Sequence, residues 1–157
     1  MVANVRCAEI KDEQLRNLVA DQAWKSVAAA ACSGSLVPRF GSILHGLTDS
    51  CIKGYEAEAT FFDAAVREEK LQELQAKVQS LVHPLVEAQT ATLSSLKLKE
   101  LQQDIRLGAE GEEAFADLAS RSRTTALEAF SLVYDADVKV SGLPWDGKVC
   151  MGTTLVR

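Results

Sequence analysis

From about Ala57 to Leu107 the chain carries its longest helical pattern, and that pattern decides what the whole can fold into. Leu71, Leu74, Val78, Leu81 and Leu85 step by three and four, a heptad-like seam. Beyond them the seam loosens through Leu93, Leu96, Leu101 and Ile105. At ~1.5 Å rise per residue, about fifty helical residues would make a rod of roughly 75 Å. A helix that long in a small protein needs neighbours along its length, so an elongated antiparallel bundle is expected rather than a compact ball. Pro84 lies inside the pattern, where it removes a backbone donor and crowds the carbonyl of Ser80, so a kink or break is expected near 80–84. Asp63 with Arg67, and Glu73 with Lys77, are spaced as i, i+4 pairs in the favourable acid-first order.

The remaining patterns are helical too. Residues 12–32 start at Asp12 as N-cap and set Leu15, Leu18, Val19, Ala23, Val27 and Ala30 near one stripe. Trp24 sits near that stripe and reads as core packing rather than a ligand platform. Phe40, Ile43, Leu44, Leu47 and Cys51 define the next helix, with its stop at Gly54. A fourth runs over about 112–134, after a turn at Gly108 and Gly111, with Glu110, Glu112 and Glu113 at its positive end. From Asp135 the helical period fades, and Gly142, Pro144 and Gly147 punctuate an extended or looped stretch. The expected fold is therefore all-α: about four helices in an elongated antiparallel bundle over 1–134, then an irregular tail over 135–157.

Composition excludes several classes of function. The 157 residues are 47% hydrophobic and 25% charged, as in an ordinary soluble domain. A net charge of −5 with scattered basic residues argues against a nucleic-acid binder, which needs a clustered basic surface. No apolar run approaches the length that spans a bilayer, and no signal peptide is visible, so no direct membrane insertion is expected. Cys7, Cys32, Cys51 and Cys150 form no CxxC pair, and His45 and His83 stand apart, so no metal site is expected. The cysteines read as reduced thiols, three of them facing the core.

Three segments imitate chemistry. Residues 142–149, GLPWDGKV, match a phosphate loop until Val149 replaces the Ser or Thr that holds magnesium, and too few residues follow to build a nucleotide fold. SLVPRFGS at 35–42 is similar to an engineered protease linker, but Phe40 follows Arg39 and a natural interhelical turn fits better. Glu56, Glu58 and Asp63 read as a solvated acidic helix start, not a carboxylate pair at work. No local motif supports a nucleophilic triad, and no catalytic, cofactor-binding or metal residue is assigned.

A resemblance places the chain more sharply. VANVRCAEI at 2–10, the Trp24 helix, the VPRFG turn at 37–41, GYEAEATFFDAAVREEKLQEL at 54–74 and LVHP at 81–84 occur in this order. Together they resemble the start of the helical stalk of the root hair defective three family, atlastin-related, dynamin-like GTPases that fuse endoplasmic reticulum membranes. The most specific mark is the aromatic pair Phe61 and Phe62 with Asp63 and Arg67; PWDGKV resembles a tryptophan-containing turn further along the same stalk. The resemblance covers 2–106 well and 107–149 more weakly.

It implies a cytosolic segment at the endoplasmic reticulum membrane, partnered by a GTPase head, the rest of the stalk and a second copy. GTP and magnesium would be bound by the head, leaving this chain without a cofactor. The departures are a missing phosphate loop, switch regions and membrane hairpin, and a final CMGTTLVR unlike the family, as a truncated or misread gene model would give. On that reading Leu71, Leu74, Val78 and Leu81 transmit a rotation of the head, Pro84 is a bending point, and 2–10 joins head to bundle. A free-standing helical adaptor, binding partner helices through the Leu71–Leu85 seam, is the alternative.

Overall fold

The computed structural model describes residues 2–108 and 115–140. Expectations for the Gly111 turn with its glutamates, the 142–149 loop, Cys150 and the final octapeptide lie outside the described residues. Five α-helices follow in order: α1 Val2–Ala20, α2 Gln22–Cys32, α3 Phe40–Ala59, α4 Ala64–Gly108 and α5 Phe115–Val133. No strand occurs among the described residues.

The stretch expected as one helix from Asp12 is two. α1 starts ten residues earlier, at Val2, so Asp12 lies within it and caps nothing. The N-cap is Asp21, whose extended backbone (φ −60°, ψ 134°) breaks the helix while its side chain accepts the Ala23 N–H at 2.8 Å. A short side chain that bonds its own downstream backbone competes with helix continuation, and here it wins. α2 closes with a Schellman turn, in which the Ser35 N–H reaches the Ala30 carbonyl and the Gly34 N–H that of Ala31. Gly34 takes the left-handed conformation this requires (φ 77°).

α3 does not stop at Gly54. The helix runs on to Ala59, and the glycine instead lets α1 come close: a Cβ there would stand 2.6 Å from Gln14 Oε1. The true corner is Thr60–Asp63, so α4 begins at Ala64 rather than Ala57. Asp63 Oδ1 accepts the N–H groups of Ala65 and Val66, satisfying two of the donors a helix start leaves open.

α4 is the axis of the molecule, 45 residues and about 67 Å long. It continues through Pro84 without a break. Pro84 and Ser80 both lie on the exposed face, where water can solvate the carbonyl that the proline leaves unpaired. α1 runs parallel to α4, since Lys11 meets Glu73 and Asp12 meets Lys77. It runs antiparallel to α3: Cys7 neighbours Tyr55, and Gln14 the earlier Cys51. α5 also packs along α4.

The buried stripe of α4 departs from the expected seam. Leu74, Val78 and Leu85 are buried and Leu71 packs partly, but Leu81 is 37% exposed. Val82 takes its place, followed by Val86, Gln89, Thr90 and Leu93. A straight α-helix drifts relative to a strict seven-residue repeat, and contact with four other helices, α1, α2, α3 and α5, moves the buried face with it.

Helical form persists past α5 through a π-helical turn, Tyr134–Val138, in which Lys139 N–H bonds the Tyr134 carbonyl at 2.8 Å. Phe130 and Tyr134 stack with ring centroids 5.8 Å apart, and Val138 and Val140 are buried. The first residues expected to be irregular, 135–140, are thus partly helical and packed. Gly41 permits this, since a Cβ on it would overlap the Lys139 carbonyl.

Candidate functional site

The densest polar chemistry lies where α1, α3 and α4 meet. Lys11 on α1 reaches inward along the stripe of Cys7, Ile10 and Leu18, and its Nζ bonds Glu73 Oε2 at 2.7 Å. Lys70 bonds the other oxygen of Glu73, also at 2.7 Å. One carboxylate therefore bridges two ammonium groups from two helices. Those two hydrogen bonds, Lys11's the stronger, pull the Glu73 carboxyl down to about 2. The expected Glu73–Lys77 pair does not form: Lys77 instead faces Asp12 of α1 at 3.9 Å.

Beside this bridge Tyr55 of α3 is fully buried and its hydroxyl donates to the Arg67 carbonyl at 3.0 Å. Burial, and then the neighbouring Cys7 thiol, push the phenol up to about 12. Near neutral pH Glu73 is thus ionised, Lys70 protonated and Tyr55 neutral. None of these three is poised to exchange a proton, and the arrangement joins helices.

The residues singled out from sequence around 61–67 come together at the α3–α4 corner. Asp63 caps α4, and Arg67 Nη1 donates to the Thr60 carbonyl at 2.9 Å instead of pairing with Asp63. Thr60 Oγ1 in turn donates to the Glu56 carbonyl. Phe62 packs against the core, whereas Phe61 is 93% exposed. Trp24 is buried, far along the chain from this corner, and Pro84 lies on the outer face of α4.

A second polar clamp holds the VPRFG turn. Gln89, wholly buried on α4, accepts the Val37 N–H at 2.9 Å and donates to the Ser35 carbonyl at 2.6 Å. Phe40 is then fully buried and Arg39 adopts a left-handed backbone (φ 57°) just before α3. Sequence reasoning missed Lys11, Tyr55 and Gln89. Two carried a signal: Lys11 stands four residues after Cys7 and seven before Leu18, and Gln89 four after Leu85, each a polar side chain on an apolar stripe.

Of the four thiols, three of them expected to face the core, Cys7 and Cys51 are buried, Cys32 is exposed, and Cys150 lies outside the described residues. Burial raises the Cys51 thiol. Among the described residues no group of three or more His, Cys, Asp or Glu side chains converges as a metal site. Nor is any described helix long and apolar enough to cross a membrane.

A through-running helix, a hairpin pinned to it by buried polar clamps and a corner of capped turns define a helical-bundle module built for rigid packing. Residues 38–153 match the family model of the Sey1 three-helix bundle domain. The chain belongs to that family, and the comparisons with individual proteins agree. It is 32% identical over 157 residues to Protein ROOT HAIR DEFECTIVE 3 homolog 2 of Oryza sativa subsp. japonica, covering all of this chain and 18% of the relative. To the homolog 2 protein of Arabidopsis thaliana it is 34% identical over 151 residues, 93% of this chain and 17% of the relative. Protein SEY1 of Uncinocarpus reesii (strain UAMH 1704) is 25% identical over 155 residues, 92% of this chain and 18% of the relative. The chain thus spans under a fifth of the length of these relatives. No solved structure shows a significant match.

Proposed function

We propose that this chain is part of the helical stalk of a dynamin-like GTPase that fuses endoplasmic reticulum membranes with one another and shapes their network. In this reading the segment lies on the cytosolic face of that membrane. It carries rotation of a GTPase head, where GTP and magnesium bind, and pairs with the stalk of a second copy; it performs no catalysis itself. The observation that carries the reading is α4, which runs unbroken from the Thr60–Asp63 corner past Gln89 to Gly108. A rod fixed laterally at several heights passes a rotation along its length, whereas hinged short helices would absorb it. The adaptor alternative has less support, because Leu74, Val78 and Leu85 of its docking seam are already buried in this chain's own core.

The test is made in the longer protein, reconstituted in vesicles. Two glycines inserted after Leu96 should leave GTP hydrolysis intact and abolish lipid mixing, since they interrupt the rod without touching the head. Lipid mixing at the unmodified rate would overturn the proposal.

A further inference from the structure

The family match begins at residue 38 and leaves out α1 and α2, and the way α1 is held sets it apart from the bundle. Of its nineteen residues only Cys7, Ile10, Lys11 and Leu18 are buried. Much of its hold is polar: Lys11 on Glu73, Gln14 Nε2 on Glu58 Oε1 at 2.6 Å, and the Gln14 carbonyl taking the Cys51 thiol at 3.6 Å. At its far end the helix breaks at Asp21. There a cleft of about 180 Å³, lined by Gln14, Asn17, Asp21, Leu47, Ser50 and others, separates α1 from α3. A helix held by polar contacts, bordered by a cleft and joined to its successor through one extended residue, has the features of a unit that opens by itself.

We infer that α1 is a hinged arm that leaves the α3–α4 surface as one body about Asp21, with the Lys11–Glu73–Lys70 bridge as its latch. When the latch parts, Lys11 and Glu73 rehydrate while Lys70 and Glu73 remain partnered on α4, so the bridge resists opening by the one charge-assisted hydrogen bond that Lys11 gives up. The apolar contacts of Cys7, Ile10 and Leu18 are what draw the arm back. The inference concerns the bundle alone and stands whether or not the longer protein fuses membranes.

Two thiols report on the arm. Cys7 is on its inner face and Cys51 lies beneath Gln14, so opening exposes both. The experiment is thiol-labelling kinetics on the 157-residue chain with Cys32 and Cys150 changed to Ser, and with Ala126→Cys on α5 as the buried reference that reports whole-chain unfolding. Cys7 and Cys51 should label together and at least about tenfold faster than that α5 reference thiol, as sub-global opening requires. Glu73→Gln should raise both rates roughly tenfold more, the effect of weakening charge-assisted hydrogen bonds, and leave the reference unchanged. One common rate for all three thiols would overturn the arm, and Cys7 and Cys51 rates unmoved by Glu73→Gln would overturn the latch. Hydrogen exchange of the unaltered chain decides independently of any variant: α1 amides should exchange as a block ahead of those of α4 between Leu74 and Leu93, and equal protection would refute the arm.

Discussion

Gln89 on α4 accepts the backbone N–H of Val37 at 2.9 Å, joining two residues 52 positions apart in the chain. The same amide donates to Ser35, so a single buried side chain serves both a donor and an acceptor of the α2–α3 turn. Gln89→Leu would fill the space and satisfy neither group. The expected loss is about 1–3 kcal/mol, the cost of leaving buried polar backbone unpaired, read from the urea unfolding midpoint. Stability unchanged in that variant would show the clamp to be dispensable.

Acid should unfasten the α1–α4 junction. Glu73 has its folded pKa lowered from 4.5 to about 2, so its contribution is complete above the unfolded value and is lost as pH falls from about 5 towards 2. Chemical denaturation of wild type and Glu73→Gln across that range should give curves that converge as the pH drops. A constant gap between them would mean that the carboxylate's charge is not what matters.

Gly41→Ala is predicted to lower stability by about 1–3 kcal/mol, the usual penalty for forcing atoms into packed space. The nearest obstacle is the Lys139 backbone, which cannot swing aside as a side chain could. Amides around Tyr134–Val140 should lose exchange protection first; uniform loss across α1–α4 would contradict the placement.

Two neighbouring motifs hold phenylalanines of opposite weight. Phe40 is fully buried and Phe61 is 93% exposed. Phe40→Ala should cost about 3–5 kcal/mol, and Phe61→Ala should stay within about 0.5 kcal/mol of wild type. Thermal melts of the two variants would separate them by many degrees.

Much of the fold could be read in the sequence, because its strongest signal is periodicity. The long helix, its passage to about residue 107 and the turn around Pro38 follow from apolar spacing and from proline and glycine. Where the reading failed, a local rule met a tertiary one. Gly54 has the composition of a helix stop, yet it sits under Gln14, a contact no spacing reveals. Leu81 fits the heptad, but the helix rotates to bury Val82 instead. Asp63 and Arg67 look like a surface ion pair, while each is occupied with backbone at the corner. The junction of Lys11, Tyr55 and Glu73 draws on three helices, so sequence distance hid it; only the polar residues on apolar stripes hinted at it.

The meeting of Gly41 and Lys139 also bears on the order of assembly. The two are about a hundred residues apart, and a chain made from its N-terminal end presents Phe40 and Gly41 long before the strip that covers them exists. Closing so long a loop costs only slightly more than closing a short one, since the penalty grows with the logarithm of length. The cost is instead one of time: until Tyr134–Val140 is synthesised, the start of α3 stands uncovered. During synthesis the molecule is thus most vulnerable to wrong association at that spot, and the last described residues act as its closure.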